Sequence, residues 1–285
     1  MSELARRVIV ALIGAPLALA IIWLGDAPLA TFAGILSALS AWEFYRLARE
    51  SGSHPMTGVG VVGAAVLPLL VHGHYLGVLR VPLEAVTLSV LALISLALWF
   101  RGVNGKPLAA VATTMLGIVY TGGTLSYVYA LRYYGYAVGN TAGALVVILP
   151  VLLTWASDIG AYVAGRTIGG PKLFPSVSPG KTIAGAIGGV LLTVLVSFGY
   201  VHWLLRPYAE LAFSPLGLVT FGVCISVTAQ IGDLAESLFK REAGVKDSGS
   251  LLPGHGGALD RLDSLFFVLP VAFVLCGWLL IPAPR

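Results

Sequence analysis

Apolar runs of roughly twenty residues alternate along the chain with short polar segments that carry almost all of the charge. A bilayer core of about 30 Å is crossed by roughly twenty apolar helical residues, and nine runs approach that length. They cover Val8–Leu24, Pro28–Tyr45, Val59–Val71, Leu83–Phe100, Ala109–Leu131, Thr141–Ala164, Ile183–Leu204, Leu216–Phe239 and Ser264–Ile281. The third is the shortest and is interrupted by Pro68. The first follows Arg6 and Arg7 and contains Ala18-Leu19-Ala20, the outline of a signal peptide. It continues through Trp23 without a polar break, which predicts a retained anchor. The pattern predicts an all-α fold, a polytopic integral membrane helical bundle of about nine transmembrane helices, with residues 1–285 forming one membrane domain. No internal repeat or long linker interrupts it. Gly and Pro are spread through the apolar segments, as in membrane helices whose neighbours approach closely.

Composition narrows the class. Of 285 residues, 58% are apolar and 11% charged, where a soluble domain carries roughly 25% charged residues. With a mean hydropathy of +0.92, the chain lacks the polar skin that a water-soluble globule of this size needs. An ordinary cytosolic enzyme, a disordered chain and a disulfide-stapled secreted module are all excluded. Cys224 and Cys276 both lie in apolar runs and read as buried thiols. The net charge of +4 with scattered basic residues does not call for nucleic acid. It reports topology instead: alternating the loops puts 13 of the 17 basic residues on one side. By the excess of Lys and Arg in cytoplasmic loops, the N-terminus is cytoplasmic, the C-terminus lies outside, and the loops after spans two, four, six and eight face the cytoplasm.

The charge collects in one place. Between Asp233 and Asp263 lie ten charged residues, a third of the chain's total within 31 positions. A solvated loop is the plain explanation of such a run, but three features depart from it. The acids stand at the helix ends; the loop holds Gly249, Pro253, Gly254, Gly256 and Gly257 around His255; and Asp233 falls inside an apolar span, where a carboxylate is costly. Asp260 and Asp263, three apart, share a helix face, and a loop that folds the two helix ends together brings Asp233 beside them. Three carboxylates there would make a hard-oxygen site suited to Mg²⁺. Lys240, Arg241 and Lys246 supply cations for a polyphosphate, and the glycines let backbone N–H groups approach phosphate oxygens. This is metal-assisted phosphate chemistry at the cytoplasmic membrane face, with the substrate unnamed.

A second polar segment follows span six: Asp158, Arg166, Lys172 and Ser178-Pro179-Gly180-Lys181-Thr182. The Gly-Lys-Thr triplet is no P-loop, because Pro175 stands where that motif needs Gly and no strand precedes it. A turn capped by Ser178 or Thr182, with Lys181 facing headgroups, accounts for most of it. Asp158 lies within an apolar span and is expected to face the bundle interior. Glu43, in Trp42-Glu43-Phe44 at the cytoplasmic end of span two, is either a structural partner of Arg46 or part of the site. His72 and His74 have no third ligand in view, and no Gly-x-Ser-x-Gly elbow or paired-cysteine motif occurs.

These residues are specific enough for a resemblance. Ser237-Leu-Phe-Lys240-Arg241, Lys246-Asp247, Pro253-Gly-His255-Gly256-Gly257 and Asp260-Arg261-Leu262-Asp263 resemble the signature of the phosphatidate cytidylyltransferases (CDP-diacylglycerol synthases). Ala258 stands where that family usually carries a larger aliphatic residue. Ser157-Asp158-x-x-Ala161-Tyr162 and Ser178-Pro179-x-Lys181-Thr182 are similar to the family's other cytoplasmic segment, while the N-terminal half matches in character and in Trp42-Glu43. The resemblance implies that CTP and phosphatidic acid give CDP-diacylglycerol and pyrophosphate, with Mg²⁺ required and K⁺ as a second cation. It implies a homodimer in the inner (plasma) membrane, with a polar cavity open to the cytoplasm and to membrane lipids. Residues 1–140 would be scaffold and dimer or lipid contacts, and 141–285 the catalytic helices and loops. It places the metal on Asp233, Asp260 and Asp263, and makes these and Lys240 the catalytic set. Lys240, Arg241, Lys246, Asp247, His255, Gly256, Gly257, Arg261, Asp158, Ser178, Lys181 and Thr182 would bind substrates, with His255 either touching phosphate or fixing the loop.

The chemistry of that reaction agrees with the residues. The lipid phosphate is already ionised near neutrality, since its second pKa is about 6, so no strong general base is needed and none is evident. The rivals are other membrane phosphotransferases and a cation-coupled transporter with Asp158 and Asp233 as ligands. The CDP-alcohol phosphotransferase pattern Asp-x-x-Asp-Gly-x-x-Ala-Arg fails at Ser264-Leu265.

Overall fold

The computed structural model describes residues 3–80, 83–249 and 256–283. Among these residues the chain forms eleven α-helices: α1 (Glu3–Leu24), α2 (Asp26–Glu50), α3 (Thr57–Tyr75), α4 (Leu83–Phe100), α5 (Pro107–Gly117), α6 (Tyr127–Arg132), α7 (Gly139–Thr167), α8 (Ile183–Tyr200), α9 (Arg206–Ala209), α10 (Pro215–Glu242) and α11 (Leu259–Leu279). Wide π-helical turns, Ile118–Gly123 and Val201–Leu205, continue α5 towards α6 and α8 into α9. Seven helical stretches among the described residues are long and apolar enough to cross a membrane. Two shorter apolar helices, Gly14–Leu24 and Glu84–Phe100, occupy the other two of the nine expected positions. The third run continues through Pro68, which is buried within a 19-residue helix.

Two small antiparallel ribbons depart from the all-helical expectation. β1 (Lys172–Phe174) pairs with β2 (Ser178–Thr182), pairing Lys172 with Thr182 and Phe174 with Ser178. β3 (Leu211–Phe213) pairs with β4 (Leu280–Pro282). Each lies next to a helix end, where the backbone would otherwise leave polar groups unpaired.

The contacts divide the chain into two compact units: 1–21, 26–129 and 239–262 in the first, and 22–25, 130–238 and 263–285 in the second. The charged loop 239–262 belongs with the N-terminal helices, because its partners come from α2.

In the first unit, α2, α3 and α5 pack around Tyr45. Its ring lies against Gly60 and Gly117, where any Cβ would collide with it, and its hydroxyl donates to the Thr114 carbonyl at 2.6 Å. Phe44, Tyr120 and Phe239 meet with ring centroids 5.8–6.0 Å apart. This aromatic cluster joins the end of α10 to the residue after Glu43. The hydroxyls of Thr114, Thr121 and Ser126 donate to carbonyls one turn back, which satisfies them without water.

In the second unit, α7 and α8 approach backbone to backbone. A Cβ on Gly160 would stand 2.6 Å from the Gly188 carbonyl oxygen, and one on Gly185 2.8 Å from that of Ala161. This is the close packing that small residues permit between membrane helices. Ser157 bonds to Ser226 at 2.8 Å, and Gln230 donates to the Ala186 carbonyl at 3.2 Å. Buried Arg132 donates to the Ile22 and Trp23 carbonyls at 2.9 and 3.1 Å, capping the end of α1.

Candidate active site

In the first unit the charged loop is built around Asp260. α10 ends in a Schellman turn: Gly244, at φ +69°, donates to the Arg241 carbonyl at 3.1 Å, and Val245 to that of Lys240 at 2.9 Å. The turn leaves Lys240 and Arg241 in the last helical turn, where cations complement the helix dipole. Beyond it the chain runs to Ser248 and Gly249, both fully or nearly buried, and returns through Gly256 and Gly257 into α11.

Asp260, in the first turn of α11, gathers four donors. The Lys240 ammonium stands 2.7 Å from its Oδ1. Its Oδ2 lies 3.0 Å from the Ser248 amide, 2.9 Å from the Ser248 hydroxyl and 2.8 Å from the Gly257 amide. Only 6% of the Asp260 side chain and 12% of that of Lys240 are exposed, so this is a desolvated, hydrogen-bonded ion pair. Gly256 adopts φ +79°, and a Cβ there would stand 2.7 Å from Asp260 Oδ2. Glycine is required at that position on both counts.

Glu43 of α2 is fully buried beside this cluster. Its Oε2 accepts from the Leu259 amide at 2.8 Å and lies 3.1 Å from the Ser248 hydroxyl. Among the described residues its partners are therefore Ser248 and Leu259, not Arg46.

In the second unit Asp233 pairs with Lys181 of β2, Nζ to Oδ2 2.6 Å, and the Ser237 hydroxyl lies 3.4 Å from its other oxygen. Gly232, the residue before Asp233, packs against the backbone of Asp263; a Cβ on Gly232 would stand 2.8 Å from the Asp263 carbonyl oxygen. The Ser264 hydroxyl donates to the Ala229 carbonyl at 3.1 Å, closing α10 onto α11 at the same level.

The cytidylyltransferase family pattern matches residues 5–279. The chain belongs to the cytidylyltransferase family. It is similar to a protein named phosphatidate cytidylyltransferase from Synechocystis sp., 33% identical over 299 aligned positions that cover 94% of each chain. A protein of the same name from Staphylococcus haemolyticus is 30% identical, over 94% of this chain and 97% of that one. One from Staphylococcus epidermidis is 39% identical over 164 positions, 58% of each chain. The match thus extends well beyond the signature segments around 155–264 into the N-terminal helices.

In this cytidylyltransferase the remaining expected residues are divided between the two units. Arg241, Lys246, Asp247 and Arg261 are exposed around the Asp260 cluster, with Arg241 3.4 Å from the Val245 carbonyl. Ser178 opens β2, and Thr182 caps α8, its hydroxyl accepting from the Gly185 amide at 3.1 Å; Lys181 meets Asp233 instead of headgroups. His255 lies outside the described residues. Asp158 is a correction: it is exposed and not buried in the helix packing. α7 turns its neighbours Ser157 and Gly160 onto α8 and α10, and a step of one residue rotates Asp158 off that contact.

Asp263 lies one turn beyond Asp260 on α11, its Oδ1 2.6 Å from the Ser264 amide. Among the described residues no group of three or more His, Cys, Asp or Glu side chains is gathered to hold a metal ion. Asp260 and Asp233 each hold a lysine ammonium. Sequence reasoning missed Ser248, which is fully buried and uses both its amide and its hydroxyl at the site. Its only sequence signal is a small hydroxyl residue following Lys246-Asp247.

Proposed function

We propose that the protein transfers the cytidylyl group of CTP to phosphatidic acid, forming CDP-diacylglycerol and releasing pyrophosphate. The observation that carries this reading is the folded signature loop: Lys240, Ser248 and the Gly257 amide converge on Asp260 in a chain of the cytidylyltransferase family. The relatives matched along nearly their whole length bear the name of that activity.

The reaction joins a lipid phosphate oxygen to the α-phosphorus of CTP and breaks the bond to the β-phosphate oxygen. Its nucleophile is already ionised near neutrality; the obstacle is charge repulsion between two anions. Lys240, held in place by Asp260, and the exposed Arg241, Lys246 and Arg261 offer cations to the phosphates. Lys181 offers another from β2, and Ser178, Thr182, Asp158, Asp247, His255, Gly256 and Gly257 complete the substrate-binding set.

Asp233, Asp260 and Asp263 are assigned to Mg²⁺, with K⁺ as a second cation. Carboxylates are the donors such an ion takes; Asp260 and Asp233 each face one lysine ammonium, at 2.7 and 2.6 Å, with which the ion would have to share them. Bound there, Mg²⁺ would screen the triphosphate and stabilise the departing pyrophosphate. The proposal extends to nine spans in the plasma membrane, a cytoplasmic N-terminus and active site, an external C-terminus, and a homodimer.

The test is radiolabelled CTP with phosphatidic acid in detergent, with and without Mg²⁺. The expected product is a labelled lipid that forms only with the ion. Ion flux in sealed liposomes without CTP consumption would overturn the reading.

A further inference from the structure

We infer that Glu43 is a positioning residue for the cytidylyl-transfer site: its carboxylate clamps the two stems of the charged loop and thereby sets the Lys240–Asp260 pair. The inference rests on the proposed reaction for its activity readout.

One atom joins both stems. Glu43 Oε2 accepts from the Leu259 amide, where the chain leaves the loop and α11 begins, and lies within hydrogen-bond distance of the Ser248 hydroxyl on the incoming side. These partners lie 216 and 205 residues from Glu43 in sequence. The other oxygen, Oε1, is buried with no hydrogen-bond partner among the described residues, and it faces Gly249: a Cβ on Gly249 would overlap it. A Cβ on Gly257 would overlap Oε2. The same Cβ on Gly249 would stand 3.3 Å from the Gly257 Cα, so the stems lie side by side with the carboxylate wedged against both.

What Glu43 holds is what Asp260 needs. The Ser248 and Gly257 amides donate to Asp260 Oδ2, and the Ser248 hydroxyl lies within hydrogen-bond distance of the same oxygen. The Ser248 hydroxyl has one proton and stands between two carboxylates, 3.1 Å from Glu43 and 2.9 Å from Asp260, so it couples the two directly. The Phe44–Phe239 ring contact beside it, 5.9 Å between centroids, fixes α2 to the turn of α10 that carries Lys240. α2 thus sets both partners of the ion pair, Lys240 through the aromatic contact and Asp260 through Glu43. A buried carboxylate is costly; serving as the common acceptor of the loop explains its presence there.

The test compares Glu43→Ala, Glu43→Gln and Gly249→Ala in the full-length protein in detergent. Two readouts are used: kcat/KM for CTP, and hydrogen–deuterium exchange of the segment 245–262. Glu43→Ala is expected to lower kcat/KM at least thirtyfold and to speed exchange of that segment, while α7 and α8 keep wild-type protection. Glu43→Gln keeps a carbonyl acceptor for Leu259 and Ser248, and is expected to stay within about threefold of the wild type with the segment protected. Gly249→Ala is expected to impair the wild type but to cost little more in the Glu43→Ala background, because the overlapping atom is gone. Glu43→Ala with wild-type exchange and activity, Glu43→Gln as damaged as Glu43→Ala, or independent effects of Glu43→Ala and Gly249→Ala would each overturn the inference. If the wild type itself fails to convert CTP, the proposed reaction falls, and the exchange readout still decides the clamp.

Discussion

Replacing Lys240 with Met removes the ammonium from Asp260 while keeping an unbranched side chain of similar length. At 2.7 Å and an effective dielectric of about 20, the Coulomb attraction is roughly 6 kcal/mol, an upper bound on the effect. Losing one partner of a buried pair ordinarily costs about 3–5 kcal/mol, because the other charge is left uncompensated. Here Asp260 keeps the Ser248 amide, the Ser248 hydroxyl and the Gly257 amide, each of which continues to stabilise a carboxylate. The expected destabilisation of Lys240→Met is therefore about 2–3 kcal/mol. Removing both charges in Lys240→Met with Asp260→Asn leaves no orphan, so the double variant should be more stable than the sum of the singles by about 2 kcal/mol. Equilibrium unfolding by SDS titration in mixed micelles reads all four proteins, and CTP turnover is followed in parallel. Single effects that add to within about 0.5 kcal/mol, the behaviour of sites that do not touch, would refute the pairing. An unchanged kcat/KM for CTP in Lys240→Met would refute its substrate role.

Asp260→Asn and Asp263→Asn should each abolish Mg²⁺-dependent pyrophosphate release while the purified protein stays monodisperse; full activity in both would put the ion elsewhere. Lys181→Met breaks a pair whose side chains are 26% and 36% exposed, so it should change stability by less than about 1 kcal/mol, and its measurable effect should fall on CTP turnover. Thr182→Ala deletes the cap of α8 and should lower unfolding stability by about 1 kcal/mol, which SDS titration would detect. Orientation is checked in a background lacking Cys224 and Cys276, with cysteine placed at the exposed positions Val138 and Val103. An impermeant maleimide on intact cells should label Val138→Cys and spare Val103→Cys, and the reverse pattern would invert the topology.

The amino-acid order alone determined the helical class, the position of the seven long apolar helices and the crowding of charge between Asp233 and Asp263. These are local properties: a run long enough to cross a membrane, an i, i+3 acid pair in Asp260 and Asp263, and a basic bias between alternate loops are all legible within short windows. The tertiary structure decided which residues meet. Asp158 sits in an apolar run, but its direction depends on α7 turning Ser157 and Gly160 onto α8 and α10. Lys181 reads as a headgroup contact until a two-stranded ribbon brings it to Asp233. Glu43 could have paired with Arg46 three residues away, yet its carboxylate reaches Ser248 and Leu259 more than two hundred residues along. Such pairings depend on which helix faces pack, a choice made by side-chain shape and close glycine contacts across the whole chain, and no local pattern encodes it.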